Sequence, residues 1–291
     1  MKIGKDRVGE LLIFFEAILW GLFPIMTTLS QNKLPSLISL GFSTLFSCIF
    51  FGSIIIYKHK WQELRNTSAL ADILIATTIL GILFYLLFFF GLRYTSPGNA
   101  SIIALSEIFF SYLYFHVWKK DDLPREHIVG AILIVIGVVI IFYPSIHSFQ
   151  IGDLLVLTGA FIAPFGNFYQ KRARSKVSSE TILFIRSFLS SIVVFFLAFL
   201  FQNSFSYDSF NTSLIFLLIN GVLVLGLSKV LWVEGIHRIS VMKATALGSI
   251  APLITLIFAF ILLQKTPTIY QLLAFVPMFF GVIFLSRNKQ K

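Results

Sequence analysis

The sequence predicts an all-α polytopic membrane protein: ten transmembrane helices as two inverted five-helix repeats, with both termini cytoplasmic. Three observations carry this. Of 291 residues, 57% are hydrophobic and 12% charged, against about 25% charged in an ordinary soluble domain. The apolar runs approach the ~20 residues that cross about 30 Å of hydrocarbon. Finally, residues 81–142 can be laid on residues 225–286 at a constant offset of 144.

Charges, prolines and polar clusters separate ten candidate spans: 9–30, 37–57, 70–92, 97–117, 127–143, 151–170, 180–201, 211–235, 241–263 and 269–286. The basic start, residues 1–7, resembles a signal peptide. Its apolar run is too long and lacks a small-x-small cleavage site, so it reads as an uncleaved first span. The connections are short and no soluble domain interrupts them, which places the function among the helices. Cys48 is the single cysteine, so no intrachain disulfide can form. The net charge of +10 is spread in short clusters between apolar runs. The lipid bilayer is therefore the expected partner and nucleic acid is not. Nothing in the sequence specifies an oligomer.

Orientation follows from the retention of Lys and Arg on the cytoplasmic side. With the amino terminus inside, that side receives seventeen basic residues: Lys2, Lys5, Arg7, Lys58, Lys60, Arg65, Lys119, Lys120, Arg125, Lys171, Arg172, Arg174, Lys176, Arg238, Arg287, Lys289 and Lys291. The opposite side receives three, Lys33, Arg93 and Lys265. The repeat aligns Gly91 with Gly235, Ser96 with Ser240, Ala100 with Ala244, Gly137 with Gly281 and Val138 with Val282. Its halves are expected at 1–146 and 147–291. Five helices per half force opposite insertion, and inverted repeats mark transporters with a central site near the midplane.

Within this frame a few residues are out of place in lipid. Trp20-Gly21-Leu22-Phe23-Pro24 breaks the first helix; it is either a kink with an interfacial Trp or a cavity wall. Glu107 lies near the centre of the fourth helix, with Ser111 one turn on. An acid at that depth costs at least ~2.5–3.5 kcal/mol and must face protein or water. It either bonds two helices together or binds a substrate amine, and it allows proton coupling. Lys229 is the other deep charge, with a substrate carboxylate or Glu107 as its natural partner. The repeat sets it opposite Tyr85. Trp20, Phe84, Tyr85 and Trp232 form a candidate apolar wall, and Asn167, after Pro164, is an uncharged group that either reads a polar substrate or bonds a neighbouring helix. Glu16, Arg186, Glu234 and Lys243 fall within one or two turns of helix ends, where charges reach headgroups cheaply; a structural role is expected for them.

No enzyme constellation appears: there is no HExxH, GxxxxGK[ST] or GxSxG. His59, His116, His127, His147 and His237 lack metal-ligand spacing. Neither a metal nor a cofactor is expected, and the chain is not expected to be an enzyme.

Three stretches carry a family resemblance. Gly91-Leu92-Arg93-Tyr94-Thr95-Ser96 leads through Ala100 to Glu107 and on to Gly130–Val138. A second copy, Gly235-Ile236-His237-Arg238-Ile239-Ser240, leads through Ala244-Thr245-Ala246-Leu247 to Ala251-Pro252 and Gly281-Val282. Trp20-Gly21 and Pro24 open the chain. Together they resemble the EamA type of the drug/metabolite transporter superfamily, over essentially the whole chain. The Glu-Pro pair common in that family's fourth and ninth helices is split here between Glu107-Ile108 and Ala251-Pro252. The resemblance implies a carrier with a central cavity between helices 1, 3, 4, 6, 8 and 9, exporting small polar metabolites such as amino acids, and a home in the bacterial cytoplasmic membrane. Efflux of amphipathic drugs and a non-transporting membrane scaffold are the alternatives.

Overall fold

The computed structural model describes residues 5–114, 125–146, 150–202 and 204–286. All regular structure among them is helical. The basic residues expected at 2, 119, 120, 287, 289 and 291, and His116 and His147, lie outside the described residues.

Seven helical segments there are long and apolar enough to cross a membrane: Asp6–Gln31, Ser36–Tyr57, Thr67–Tyr94, Ile151–Arg174, Ser179–Leu200, Tyr207–Arg238 and Lys243–Leu263. Glu126–Phe142 and Ile269–Leu285 are shorter apolar helices. The predicted fourth span is described only to residue 114 and is broken at Leu105. The outer surface is that of a protein in lipid. Ile132, Val135 and Val139, and likewise Ile192, Phe196 and Phe199, stand exposed at helical spacing; in water such stripes would drive association.

Several spans are discontinuous, and the breaks have local causes. The first is α1 (Lys5–Trp20) followed by α2 (Phe23–Gln31). Pro24 stands in the first turn of α2, where its missing N–H costs nothing but where α1 cannot run on. The carbonyl of Gly21 freed by the break accepts the Thr255 hydroxyl at 2.8 Å. The third span is α4 (Leu70–Ala76), a π-helical stretch Thr77–Leu83, and α5 (Phe84–Tyr94); the fourth is α6 (Pro97–Ala104) and α7 (Ser106–Tyr112). Between the first and third spans lies α3 (Ser36–Tyr57), and α8 (Arg125–Phe142) closes this half.

The second half repeats these irregularities. After α9 (Ile151–Arg174) and α10 (Ser179–Leu200) come α11 (Tyr207–Leu218), a π-helical stretch Ile219–Leu227, and α12 (Ser228–Arg238); then α13 (Val241–Gly248), α14 (Ala251–Leu263) and α15 (Ile269–Ser286). At the offset of 144 residues the first π stretch falls inside the second, and the break after Ala104 falls on the break after Gly248. Pro252 stands in the first turn of α14, whereas the corresponding break before α7 has no proline and is closed by the Ser106 hydroxyl donating to Ile103 O at 2.7 Å.

Packing also follows the repeat. α8 lies against α15, α3 against α10, α1 against α12 and α5 against α9. Gly130 and Gly281 meet reciprocally: a Cβ on the first would come 2.8 Å from the carbonyl of the second, and the reverse would be 2.7 Å. Gly91 and Gly152 do the same for α5 and α9, where a Cβ on Gly152 would come 2.5 Å from Gly91 O. Small residues that let backbones approach are how helices associate in lipid, where no hydrophobic drive separates helix from solvent. The repeat glycines Gly91, Gly137 and Gly281 are thus packing positions.

Candidate functional site

The broken helices surround a cavity of about 970 Å³, part of it open to the outside. Its wall draws on the six predicted spans. Trp20, Phe23 and Pro24 come from the first, Leu80, Phe84, Tyr85 and Phe88 from the third, and Ser101, Ala104 and Glu107 from the fourth. Asn167 and Gln170 come from the sixth, Lys229 and Trp232 from the eighth, and Thr245, Gly248 and Pro252 from the ninth. The seventh span contributes Arg186, which the sequence did not place there.

Each break serves this wall. A regular helix buries its backbone polar groups within itself, while a broken or π-bulged one turns carbonyls and N–H groups toward neighbours and re-aims the side chains that follow. Tyr85 stands two residues beyond one π stretch and Lys229 two residues beyond the other. The predicted correspondence of these two positions is thus a shared placement on the cavity wall. Glu107 follows the break at Leu105.

The polar groups form two networks. In the first, the Trp232 indole N–H donates to Asn167 Oδ1 at 2.9 Å, and Asn167 Nδ2 donates to Glu107 Oε1 at 2.9 Å. An indole nitrogen can only donate, so it fixes the amide orientation and presents an N–H to Glu107. Among the described residues no cation lies within ion-pair distance of Glu107. Trp20 stacks on Phe23 at 4.4 Å and on Phe84 at 6.3 Å, and Phe84 packs tilted against Phe88 at 4.7 Å, making one aromatic wall.

In the second network, Lys229 pairs with Glu16 at 3.0 Å, and Ser228 donates to the same carboxylate oxygen at 3.1 Å. The Lys229 ammonium stands 3.4 Å from the centre of the Trp20 ring, a cation–π contact. Of the two partners expected for Lys229, a substrate carboxylate or Glu107, Glu107 is not paired with it; Glu16, on the helix packed against α12, takes the lysine. Glu16 and Arg186, expected near headgroups, are each 3% exposed and line the cavity. Distance from a helix end measures depth only if that end reaches the surface. Here α10 starts beneath the 58–72 connection, which is bonded over it through Glu63 to Ser178 and Thr181. Glu234 and Lys243 fit the structural expectation: Glu234 accepts from Arg174 and Arg238, and Lys243 pairs with Glu10.

Of the eight predicted site residues, Glu107, Lys229, Tyr85, Trp20, Trp232, Asn167 and Phe84 line the cavity. Ser111 does not: it is buried at 1% on α7, packed within protein. Gln170 was missed, although its spacing of three from Asn167 puts both on one face of α9. No group of three or more metal-binding side chains occurs among the described residues.

Comparison with known proteins agrees with this architecture. The EamA-like transporter family matches the chain twice, at residues 7–143 and 150–287. The Bacillus subtilis protein named uncharacterized transporter YvbV is 25% identical over 100% of this chain and 94% of its own length. Uncharacterized transporter YyaM of the same organism is 25% identical over 78% and 76%. The Synechocystis uncharacterized transporter sll1164 is 21% identical over 68% of this chain, which spans 60% of that relative. A solved crystal structure superposes with a TM-score of 0.73 at 15% identity, over 96% of this chain and 97% of its own; at that identity the likeness speaks for the fold alone. The twofold family match, the paired breaks and the cavity they enclose make this a multi-pass membrane protein that belongs to the EamA-like transporter family.

Proposed function

We propose that the chain is a secondary carrier that exports small polar metabolites, amino acids among them, across a bacterial cytoplasmic membrane by alternating access. In this reading ten helices span the bilayer with both termini inside, and the halves 1–146 and 147–291 rock against each other around the cavity. One observation supports it above the rest: Glu107 is a carboxylate on the cavity wall, aimed by Asn167 and Trp232, with no cation paired to it among the described residues. A half-buried acid held in place on the cavity wall without an ion-pair partner suits an ammonium group arriving with the solute. A proton in its absence would keep the return step inexpensive, which couples transport to protons. The aromatic wall of Trp20, Phe23, Phe84 and Phe88 accepts an apolar side chain.

The test is counterflow of labelled amino acids in liposomes, with Glu107→Gln in parallel. Saturable uptake by the parent and a loss of about tenfold or more in a folded Glu107→Gln protein are expected, since a charge-assisted contact is replaced by a neutral one. Parental rates in the variant overturn the role of Glu107. Uptake of unrelated amphipathic cations in place of amino acids moves the assignment to drug efflux, which the aromatic wall would also serve; no flux of either with the protein folded leaves the scaffold reading.

A further inference from the structure

We infer that Arg186 and Gln170 form the anion subsite of the cavity and take the carboxylate of the transported solute, while Lys229 does not. This rests on the carrier reading above and deepens it.

Arg186 is 3% exposed and faces the cavity, yet no carboxylate lies within ion-pair distance of it among the described residues. Its partner is an uncharged amide, Gln170 Oε1, which accepts from Nη1 at 2.6 Å. A guanidinium has five N–H donors, so most of its capacity is free. Gln170 is 0% exposed, and with its oxygen committed to Arg186 its Nε2 has no partner. Two neighbouring buried groups therefore offer donors and lack acceptors. Buried donors are costly to leave unmade, and a buried positive charge still more so. What fits is a negatively charged, planar acceptor, which a guanidinium binds through two parallel bonds.

Lys229 has no such deficit. Glu16 neutralises it and the Trp20 face covers it. Arg186 is also held in position. A Cβ on Gly81 would come 2.8 Å from Arg186 Cγ, so the π stretch Thr77–Leu83 presses directly on the arginine stem. The head lies 5.9 Å from the centre of the Tyr85 ring.

The amides that hold the two subsites point to the class of solute. Asn167 orients Glu107 and Gln170 orients Arg186. The two amides stand three residues apart on one face of α9, about 5–6 Å between Cβ atoms. The amides that hold a negative and a positive anchor thus stand one helical turn apart on the same helix. That suits adjacent ammonium and carboxylate groups, as in an α-amino acid.

The experiment measures binding to the purified full chain, by thermal shift and tryptophan fluorescence, of four related probes. They are L-leucine, L-leucinamide, 4-methylpentanoate, which lacks the amine, and 3-methylbutylamine, which lacks the carboxylate. The parent is expected to bind L-leucine at least about tenfold more tightly than L-leucinamide. Arg186→Lys, which keeps the charge but loses the fork, should reduce that preference several-fold, with L-leucine binding falling more than L-leucinamide binding. Arg186→Gln should abolish the preference. A merely structural arginine would weaken both ligands equally. Equal binding of acid and amide by the parent overturns the inference without any variant, as does an absence of binding by all four. If 4-methylpentanoate binds in an Arg186-dependent way and L-leucine does not, the amino-acid reading falls while the anion subsite stands. If L-leucine is transported but the preference survives in Arg186→Gln, the subsite falls and the carrier reading stands.

Discussion

The two halves meet at opposite ends of the bundle through corresponding pieces of chain, and the two seams are built from different chemistry. At one end the connection after α3, residues 58–72, lies against the turn between α9 and α10. Lys58 and Lys60 reach Glu180 at 2.5 and 3.1 Å, Arg172 and Lys176 reach Asp72, and Glu63 accepts from the Ser178 backbone and from the hydroxyls of Ser178 and Thr181. At the other end the connection after α10 meets the start of α3. There Phe42 packs on Phe205 at 5.6 Å and on Phe210 at 4.6 Å, Ser213 donates to Ser30 O at 3.3 Å, and no ion pair crosses among the described residues. One seam is ionic and the other aromatic. A carrier built from inverted halves must open one seam while holding the other. The difference implies that the energies of opening respond to different conditions, and that the repeat's symmetry does not extend to them. On the proposed orientation the ionic seam faces the cytoplasm.

The largest effect expected from breaking this contrast is at the aromatic seam. Phe42→Ala removes a partly buried ring that contacts four others, Phe46, Phe195, Phe205 and Phe210, and should cost about 2 kcal/mol or more, given the ~3–5 kcal/mol of fully buried cases. A thermal melt should show that loss equally at low and high salt. Asp72→Asn, at the ionic seam, strands Arg172 and Lys176. Because both cations are partly exposed, the expected cost is about 1 kcal/mol at low ionic strength. It should shrink as salt approaches ~1 M, where charges are screened within about 3 Å. A salt-independent loss would mean that Asp72 acts by packing alone.

The smallest effect is at Glu63, on the connection between spans. Burial pushes its carboxyl up, but the bonds from the Ser178 hydroxyl and backbone N–H and from Thr181, with Lys60 nearby, together hold it below its ordinary value of 4.5. A carboxyl depressed in the folded state contributes stability that is complete above the ordinary value and is lost as pH falls through the lower folded one. The ionic seam should therefore loosen on acidification below about pH 4.5. Glu63→Gln should flatten that part of the melting-temperature profile and leave it unchanged at neutral pH apart from a small offset. An unchanged acid limb in the variant would place the proton elsewhere in the seam.

Much of the architecture was legible because it is written locally. Apolar run length and Pro24 each act on their own stretch of chain, so they mark spans and the break of the first helix without reference to neighbours. Glu107, Asn167 and Trp232 were legible for a related reason: a polar group deep in an apolar run must find a partner, whatever that partner is. The identity of the partner was not legible. Lys229 was expected to meet a substrate carboxylate or Glu107 and meets Glu16, because α1 and α12 cross. Arg186 and Glu16 were assigned to headgroups because counting residues from a helix end gives height along the helix. It says nothing of what lies over that end. Ser111 stands one turn from Glu107 but lies outside the cavity wall, since a turn of helix sets height and the packing of neighbouring helices sets which face is lined.

By itself the sequence determined the solvent of this protein, the repeat and the break of its first helix at Pro24, because composition, periodicity and the covalent limits of proline act within a few residues. The tertiary structure alone decided which charges are neutralised and which stay free on the cavity wall. Glu16 and Lys229 lie 213 residues apart, and two charges brought together over that separation meet only through the crossing of the helices that carry them.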